Sequence, residues 1–236
     1  MVVDPSPGAA VLASEGMTVV AAPGDIPAGF APAAMVFAVK PQAAADALPA
    51  YARFAADALV ISIMAGRTLA GLAALVGPGA AVRAMPNTPA AIGQGFTAAF
   101  AGPGVTTGQR TLADDLLRAV GEVAWVEAES QLDAVTAVSG GGPAYVFLLT
   151  ELLEAAAIEQ GLPPALVKRL ARQTVAGSGA LLAASGDAPA DMRRAVTSAK
   201  GTTERALAVL MAADAWPALV SRAIAAATER SRELSQ

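Results

Sequence analysis

Residues 137–149 read A-V-S-G-G-G-P-A-Y-V-F-L-L, and this stretch divides the chain. Three consecutive glycines, Gly140, Gly141 and Gly142, lead directly into Pro143. Glycine accepts backbone angles that other residues avoid, and proline is pre-set for the first turn of a helix. The chain is therefore expected to break sharply at 139–142 and to start a new helix at Pro143. That helix should run to about Gln160, with Gly161 as its stop. Its polar residues are few, and residues 144–149 are apolar or aromatic all the way round. A helix without a polar face is buried on every side, in the core of a helical domain or at a subunit interface.

Upstream of this point, short apolar strands alternate with helices. Strands are expected at 1–4, 17–20, 35–39, 59–64, 81–85, 95–100 and 123–126. Helices are expected at 7–15, 42–56, 68–76 and 106–120, with 21–34 a proline- and glycine-rich loop. That alternation indicates a parallel sheet covered on both faces. From Gln131 onward the strand signals stop, and helices fill 132–138, 143–160, 164–184, 190–196, 202–213 and 216–233. The boundary falls at 127–130. Residues 1–127 form an α/β domain and residues 128–236 a helical one. Within 164–184 the run A-G-S-G-A at 176–180 gives up ~1 kcal/mol of helix propensity per glycine relative to alanine. Close approach of a neighbouring helix is the expected return.

Composition removes whole classes of chemistry. The 236 residues include no cysteine and no histidine. Disulfides, thiolate nucleophiles, a Ser-His-Asp triad and the common zinc sites are excluded, and no metal site is expected. Net charge is −4 with scattered Lys and Arg, which argues against nucleic acid as a partner. Hydrophobic residues make up 55%, yet no uninterrupted apolar run approaches the ~18–20 residues that span a bilayer, and no export signal is visible.

Four segments could carry chemistry. A-V-K-P-Q at 38–42 and I-S-I-M-A-G at 61–66 end predicted strands, where open α/β sheets bind ligands. In R-A-M-P-N-T-P-A at 83–90, two prolines fix a turn around Asn87 and Thr88, whose side chains either cap the turn or point into a cleft. The fourth, V-T-S-A-K-G-T-T-E at 196–204, enters a helix. With Gly201 as N-cap, Glu204 falls at N3 and the first-turn amides offer a site for a carboxylate or phosphate.

In this order and spacing the segments resemble pyrroline-5-carboxylate reductases over nearly the whole chain. V-V-D-P at 2–5, S-G-G-G-P-A-Y-V-F at 139–147, G-L-P from Gly161 and Gln173-Thr174 add to the match. The resemblance implies a Rossmann-like doubly wound parallel sheet for NADPH or NADH, followed by an all-α dimerisation domain. It implies a cytoplasmic homodimer, with further assembly into rings. It also implies reduction of a cyclic imino acid, 1-pyrroline-5-carboxylate, to L-proline, the last step of proline biosynthesis. By resemblance, Ala38, Val39, Lys40 and Pro41, with Met64, Ala65 and Gly66, line the cofactor cleft, and Asn87 lies near the nicotinamide. Asp4 would suit a ribose 2′-hydroxyl, and Ser6 a 2′-phosphate. Ser198, Lys200, Gly201, Thr202 and Thr203 hold the substrate. The Gly201 and Thr202 amides take its carboxylate, and Thr203 donates toward the ring nitrogen. Hydride transfer to a protonated imine needs positioning, a neutral donor and an anion clamp, which fits a chain without His or Cys.

Two departures from the family pattern carry expectations of their own. The substrate loop usually reads S-P-G-G-T-T; here Ala199 and Lys200 replace the proline and a glycine, so a left-handed Lys200 would be strained by ~1 kcal/mol. Family members also begin with a strand and a G-x-G-x-x turn, and nothing of that kind precedes Val2. In a sheet ordered 3-2-1-4-5-6 that strand is central, between 1–4 and 35–39. Residues 1–16 are then expected to be mobile, or 1–4 to move into the central place, with NAD(P)H binding negligible until the segment is supplied. Other readings stay open: a dimerising remnant without cofactor, or a related hydroxy-acid dehydrogenase with a catalytic lysine. The one lysine to consider for the latter, Lys168, sits beside Arg169 and Arg172 on an expected solvated face.

Overall fold

β1 (Val2–Val3), β2 (Val19–Val20) and β3 (Ala34–Phe37) open the computed structural model, which describes residues 1–235. α1 (Ala44–Ala47), α2 (Ala52–Ala55), β4 (Leu59–Ser62), α3 (Leu69–Val76) and β5 (Ala81–Met85) follow. β6 (Gly95–Ala101), α4 (Thr107–Arg118) and β7 (Gly121–Trp125) complete the strand-bearing part. The rest is helical: α5 (Gln131–Val135), α6 (Gly142–Glu159), α7 (Pro164–Ala184), α8 (Pro189–Ala195), α9 (Thr202–Leu210) and α10 (Trp216–Leu234). The chain packs as two units, Met1–Asp133 with the segment from Ser231 onward, and Ala134–Arg230.

In the first unit β3-β4-β5-β6-β7 form one sheet. The L-V-I-S sequence of β4 is buried at all four positions, as a central strand covered on both faces should be. Its alternate side chains feed two cores. Val60 packs with Phe37, Leu48, Leu72 and Val76, whereas Leu59 and Ile61 pack with Val82, Ala99, Leu117 and Val123. The sheet is not wholly parallel: β5 and β6 are antiparallel. Residues 86–94 alone connect them, and a parallel crossover needs about a dozen residues or more. Two expected helices are also less regular than the apolar pattern suggested. Pro7–Glu15 is a 3-10 helix, and 42–56 alternates between 3-10 and α turns. Pro49 explains the second case, because it lacks an amide hydrogen and its ring clashes with the carbonyl four residues back.

β1 does not move into the sheet. It pairs in parallel with β2, and a cleft of about 390 Å³ separates Val3, Asp4 and Pro5 from 34–39 on the β3 side. Val36 of β3 is 53% exposed. The backbone edges facing the cleft can therefore meet water, so the arrangement avoids the ~1–3 kcal/mol that each buried, unpaired group would cost.

The second unit corrects the reading of the glycine run. No break occurs there: Thr136–Gly140 is a π turn, and Gly141 keeps helical angles, φ −79° and ψ −22°. The Gly141 amide donates to Thr136 O at 2.9 Å, which leaves Ala137 O to accept from the Tyr145 hydroxyl at 2.9 Å. A Cβ on Gly141 would lie 2.5 Å from the Tyr145 hydroxyl oxygen. The glycine makes room for a side chain and does not interrupt the helix. The resulting helical run, Gln131–Glu159, is long and apolar enough to cross a membrane by length and composition, although Asp133, Glu151 and Glu154 interrupt it.

α6 packs against α7, yet no residue of α6 is buried. Tyr145, Val146, Phe147 and Leu148 are 41–62% exposed. Of the two places expected for this helix, a core within one chain is excluded and an interface remains. The small residues of α7 behave alike, since a Cβ on Gly179 would meet nothing within 4 Å. The close helical neighbour expected there is absent from the single chain.

Candidate cofactor and substrate sites

β3, β4 and β5 run parallel and in register, with Phe37 beside Ser62 and Ser62 beside Arg83. Their C-terminal ends therefore bring three of the four predicted segments to one edge of the sheet. Ala38 and Val39 line the 390 Å³ cleft together with Asp4, Tyr51 and Phe54. Lys40 is exposed, and Pro41 begins a short 3-10 turn. After β4, Met64 and Gly66 are buried and Ala65 is exposed. The Met64 amide donates to Ser62 Oγ at 3.3 Å. Arg67, which sequence reasoning passed over, donates from Nη2 to Pro41 O at 2.9 Å and so joins the two strand-end loops. No local pattern marks a contact between residues 26 apart.

After β5, Asn87 Oδ1 accepts from the Phe96 amide at 2.9 Å. Of the two roles open to this side chain, the one visible here is staple of the β5–β6 turn. Across the cleft, Asp4 Oδ1 accepts from the Ser6 amide at 2.8 Å. Ser6 is exposed and precedes Pro7–Glu15 without capping it through its side chain. A half-buried ion pair lies behind this edge: Arg83, 3% exposed, donates to the partly exposed Glu129 at Oε1, 3.2 Å away, and the same oxygen accepts from the Leu69 amide at 2.8 Å. Glu129 thereby fixes the start of α3.

In the second unit the loop that enters α9 has the expected form. Gly201 is the N-cap of α9, and its amide donates to Ser198 O at 3.0 Å. Glu204 falls at N3, and its Oε2 accepts from the Lys200 amide, one residue outside the cap. Lys200 has φ +61°, the strained conformation anticipated for it. Thr202 and Thr203 occupy the first two helical positions, whose amides cannot be satisfied inside a helix. Thr203 is half-buried, and Ser198 and Lys200 are exposed. Hydroxyl, amides and a flexible ammonium group thus share one short loop at a positive helix end. Lys168, Arg169 and Arg172 are all exposed on α7, as a solvated face requires.

A mixed, largely parallel sheet with strand-end loops at one edge, joined to a helical part with an uncovered apolar helix, defines a Rossmann-like protein with a helical domain whose apolar face one chain leaves open. A family profile described as pyrroline-5-carboxylate reductase dimerisation matches residues 129–234. The pyrroline-5-carboxylate reductase of Pseudomonas aeruginosa is 43% identical over 204 residues, 86% of this chain and 74% of that relative. A solved pyrroline-5-carboxylate reductase from Coxiella burnetii superposes with a TM-score of 0.89 at 33% identity, covering 99% of this chain and 87% of that one. A Plasmodium falciparum pyrroline carboxylate reductase solved with NADP bound gives 0.80 at 28% identity, covering 93% and 83%. The chain belongs to the pyrroline-5-carboxylate reductase family.

Proposed function

We propose that this protein reduces 1-pyrroline-5-carboxylate to L-proline with NADPH, as a cytoplasmic homodimer that assembles further into rings. The observation that carries the reading is the loop entering α9. Gly201 caps the helix, the amides of Thr202 and Thr203 are free of intrahelical partners, and a hydroxyl stands at Thr203. In the proposed site the Thr202 amide takes the substrate carboxylate, with Ser198 beside it and the Lys200 ammonium adding charge; the Gly201 amide, held by Ser198 O at 3.0 Å, shapes the loop around it. The Thr203 hydroxyl oxygen accepts from the N–H of the protonated ring nitrogen, in place of the donation expected from sequence, and orients the C=N bond. No protein base is needed, because the imine is reduced in its protonated form.

Ala38, Val39, Lys40 and Pro41, with Met64, Ala65, Gly66 and Asn87, would hold the cofactor. The strand-end residues fit it in part: exposed Lys40 and Ser6 can meet a phosphate, whereas the cleft between β1 and β3 stands where the sheet order expects a strand. The nicotinamide, when bound, supplies the hydride. The names of the relatives and the NADP in the Plasmodium structure support a reductase over a hydroxy-acid dehydrogenase or a cofactor-free remnant. Assaying imine reduction with each coenzyme tests the finer choice. kcat/KM with NADPH should exceed that with NADH by ~10-fold, about 1.4 kcal/mol. A preference for NADH would remove Ser6 as the 2′-phosphate partner and turn attention to Asp4.

A further inference from the structure

The last turn of α10 returns to the first unit and closes on a buried carboxyl group. Ser231 Oγ donates to Asp133 Oδ1 at 2.7 Å, and Ser235 Oγ shares its one proton between the same oxygen at 3.0 Å and Ser231 O at 2.9 Å. Ser231 and Asp133 are 5% and 6% exposed. The two hydroxyls are one helical turn apart, so a single carboxyl group fixes one face of the helix end. Leu234 lies between them in sequence and abuts Gly66. A Cβ placed on Gly66, whose φ is +69°, would sit 3.1 Å from both Leu234 Cβ and Leu234 O.

The far side of the same loop is held from the turn that leads into α5, the helix of Asp133. Glu129, one turn before Asp133, accepts from the Leu69 amide at 2.8 Å. Residues 64–68 are thus bracketed, with Leu234 against Gly66 at one end and Glu129 on Leu69 at the other. From this loop Arg67 reaches Pro41 O at 2.9 Å and carries the restraint to the other strand-end turn.

We propose that Asp133 is a positioning residue for cofactor binding. By clasping Ser231 and Ser235 it seats the C-terminal turn of α10 behind the 64–66 loop, and through Arg67 it sets the turn at Lys40 and Pro41. The inference rests on the reading above that these loops hold the nicotinamide cofactor. A carboxyl group 98 residues from its nearest partner in sequence then acts on cofactor affinity without touching cofactor or substrate.

The test uses the full-length protein, meaning this chain with the strand and G-x-G-x-x turn of the family pattern placed before Val2, with Asp133→Ala and the milder double variant Ser231→Ala/Ser235→Ala, the latter deciding if the former does not fold. The dissociation constant for NADPH, read by fluorescence titration, should rise ~10-fold. Amide hydrogen exchange at 63–68 should accelerate, while KM for the imine stays within ~2-fold. An unchanged NADPH constant in a folded variant overturns the proposal. So does an equal rise in both constants, which a merely destabilised protein would give. If the unsubstituted protein binds NADPH but forms no proline, the function reading fails and the NADPH comparison still decides the clasp. If it binds no NADPH, both fail.

Discussion

Lys200 carries the strain that its loop was expected to impose. It is the only non-glycine residue with positive φ among the described residues, and side chains in that region lose roughly 1–2 kcal/mol. Lys200→Gly should therefore raise stability by ~0.5–1 kcal/mol in thermal melts while weakening substrate binding. Loss of stability in that variant would mean that the lysine side chain compensates its own backbone. Thr203→Val keeps shape and removes the hydroxyl, so kcat should fall ~10–100-fold, or ~1.4–2.7 kcal/mol of transition-state stabilisation. Unchanged turnover would leave Thr203 as a helix-start residue alone. Asp114 gives a pH signature. The hydrogen bond from Arg118, then that from the Trp125 indole at 2.9 Å, hold its carboxyl below the usual carboxylate range, while burial opposes them. A folded pKa below the unfolded value of ~3.9 stabilises the fold above that value, and the gain is lost as pH falls through the folded pKa. Asp114→Asn should therefore lower Tm at neutral pH, with the gap closing as pH falls below the ordinary carboxylate range. A gap that persists in acid would assign the effect to packing.

Among the elements, those read correctly from sequence have local causes. β4 follows from four consecutive residues that fit a buried strand, and α9 from a glycine cap with Glu204 one turn on. The elements misread depend on partners distant in sequence or on chain length. Gly140 to Gly142 looked like a break because a glycine run can serve either a turn or a close approach. The Tyr145 hydroxyl over Gly141 decides between them, and no spacing rule announces it. The antiparallel β5–β6 pair needed the connection length weighed against apolar alternation. Asp133, Arg67 and Glu129 were silent, since each acts on residues 26 to 102 positions away. Gly121 shows how tightly one pair is drawn: it faces Gly95 between β6 and β7, and a Cβ on it would lie 1.9 Å from Gly95 O, at φ +147°. Gly121→Ala should cost ~2–3 kcal/mol and lower the denaturant midpoint, because backbone cannot yield as a side chain can. A near-neutral effect would mean that β7 slides freely on β6.

The whole molecule presents an apolar surface that a single chain does not cover. Tyr145, Phe147, Leu148 and Leu152 stand exposed on α6, and each large apolar side chain gains ~1.5–3 kcal/mol on burial. A family profile for dimerisation over 129–234 coincides with that surface. The full-length protein should therefore sediment as a dimer or larger at micromolar concentration, and Phe147→Glu should shift it toward monomer. A stable monomeric wild type would contradict an obligate interface. The proposed function assigns the strand-end loops of the first unit and the α9 loop of the second to one reaction, the reduction of a cyclic imine carboxylate. The direct measurement is to mix full-length protein, NADPH and 1-pyrroline-5-carboxylate, follow cofactor absorbance, and quantify L-proline. Oxidation of NADPH matched mole for mole by L-proline is the predicted result, and nicotinamide-binding protein that yields no proline would contradict the account.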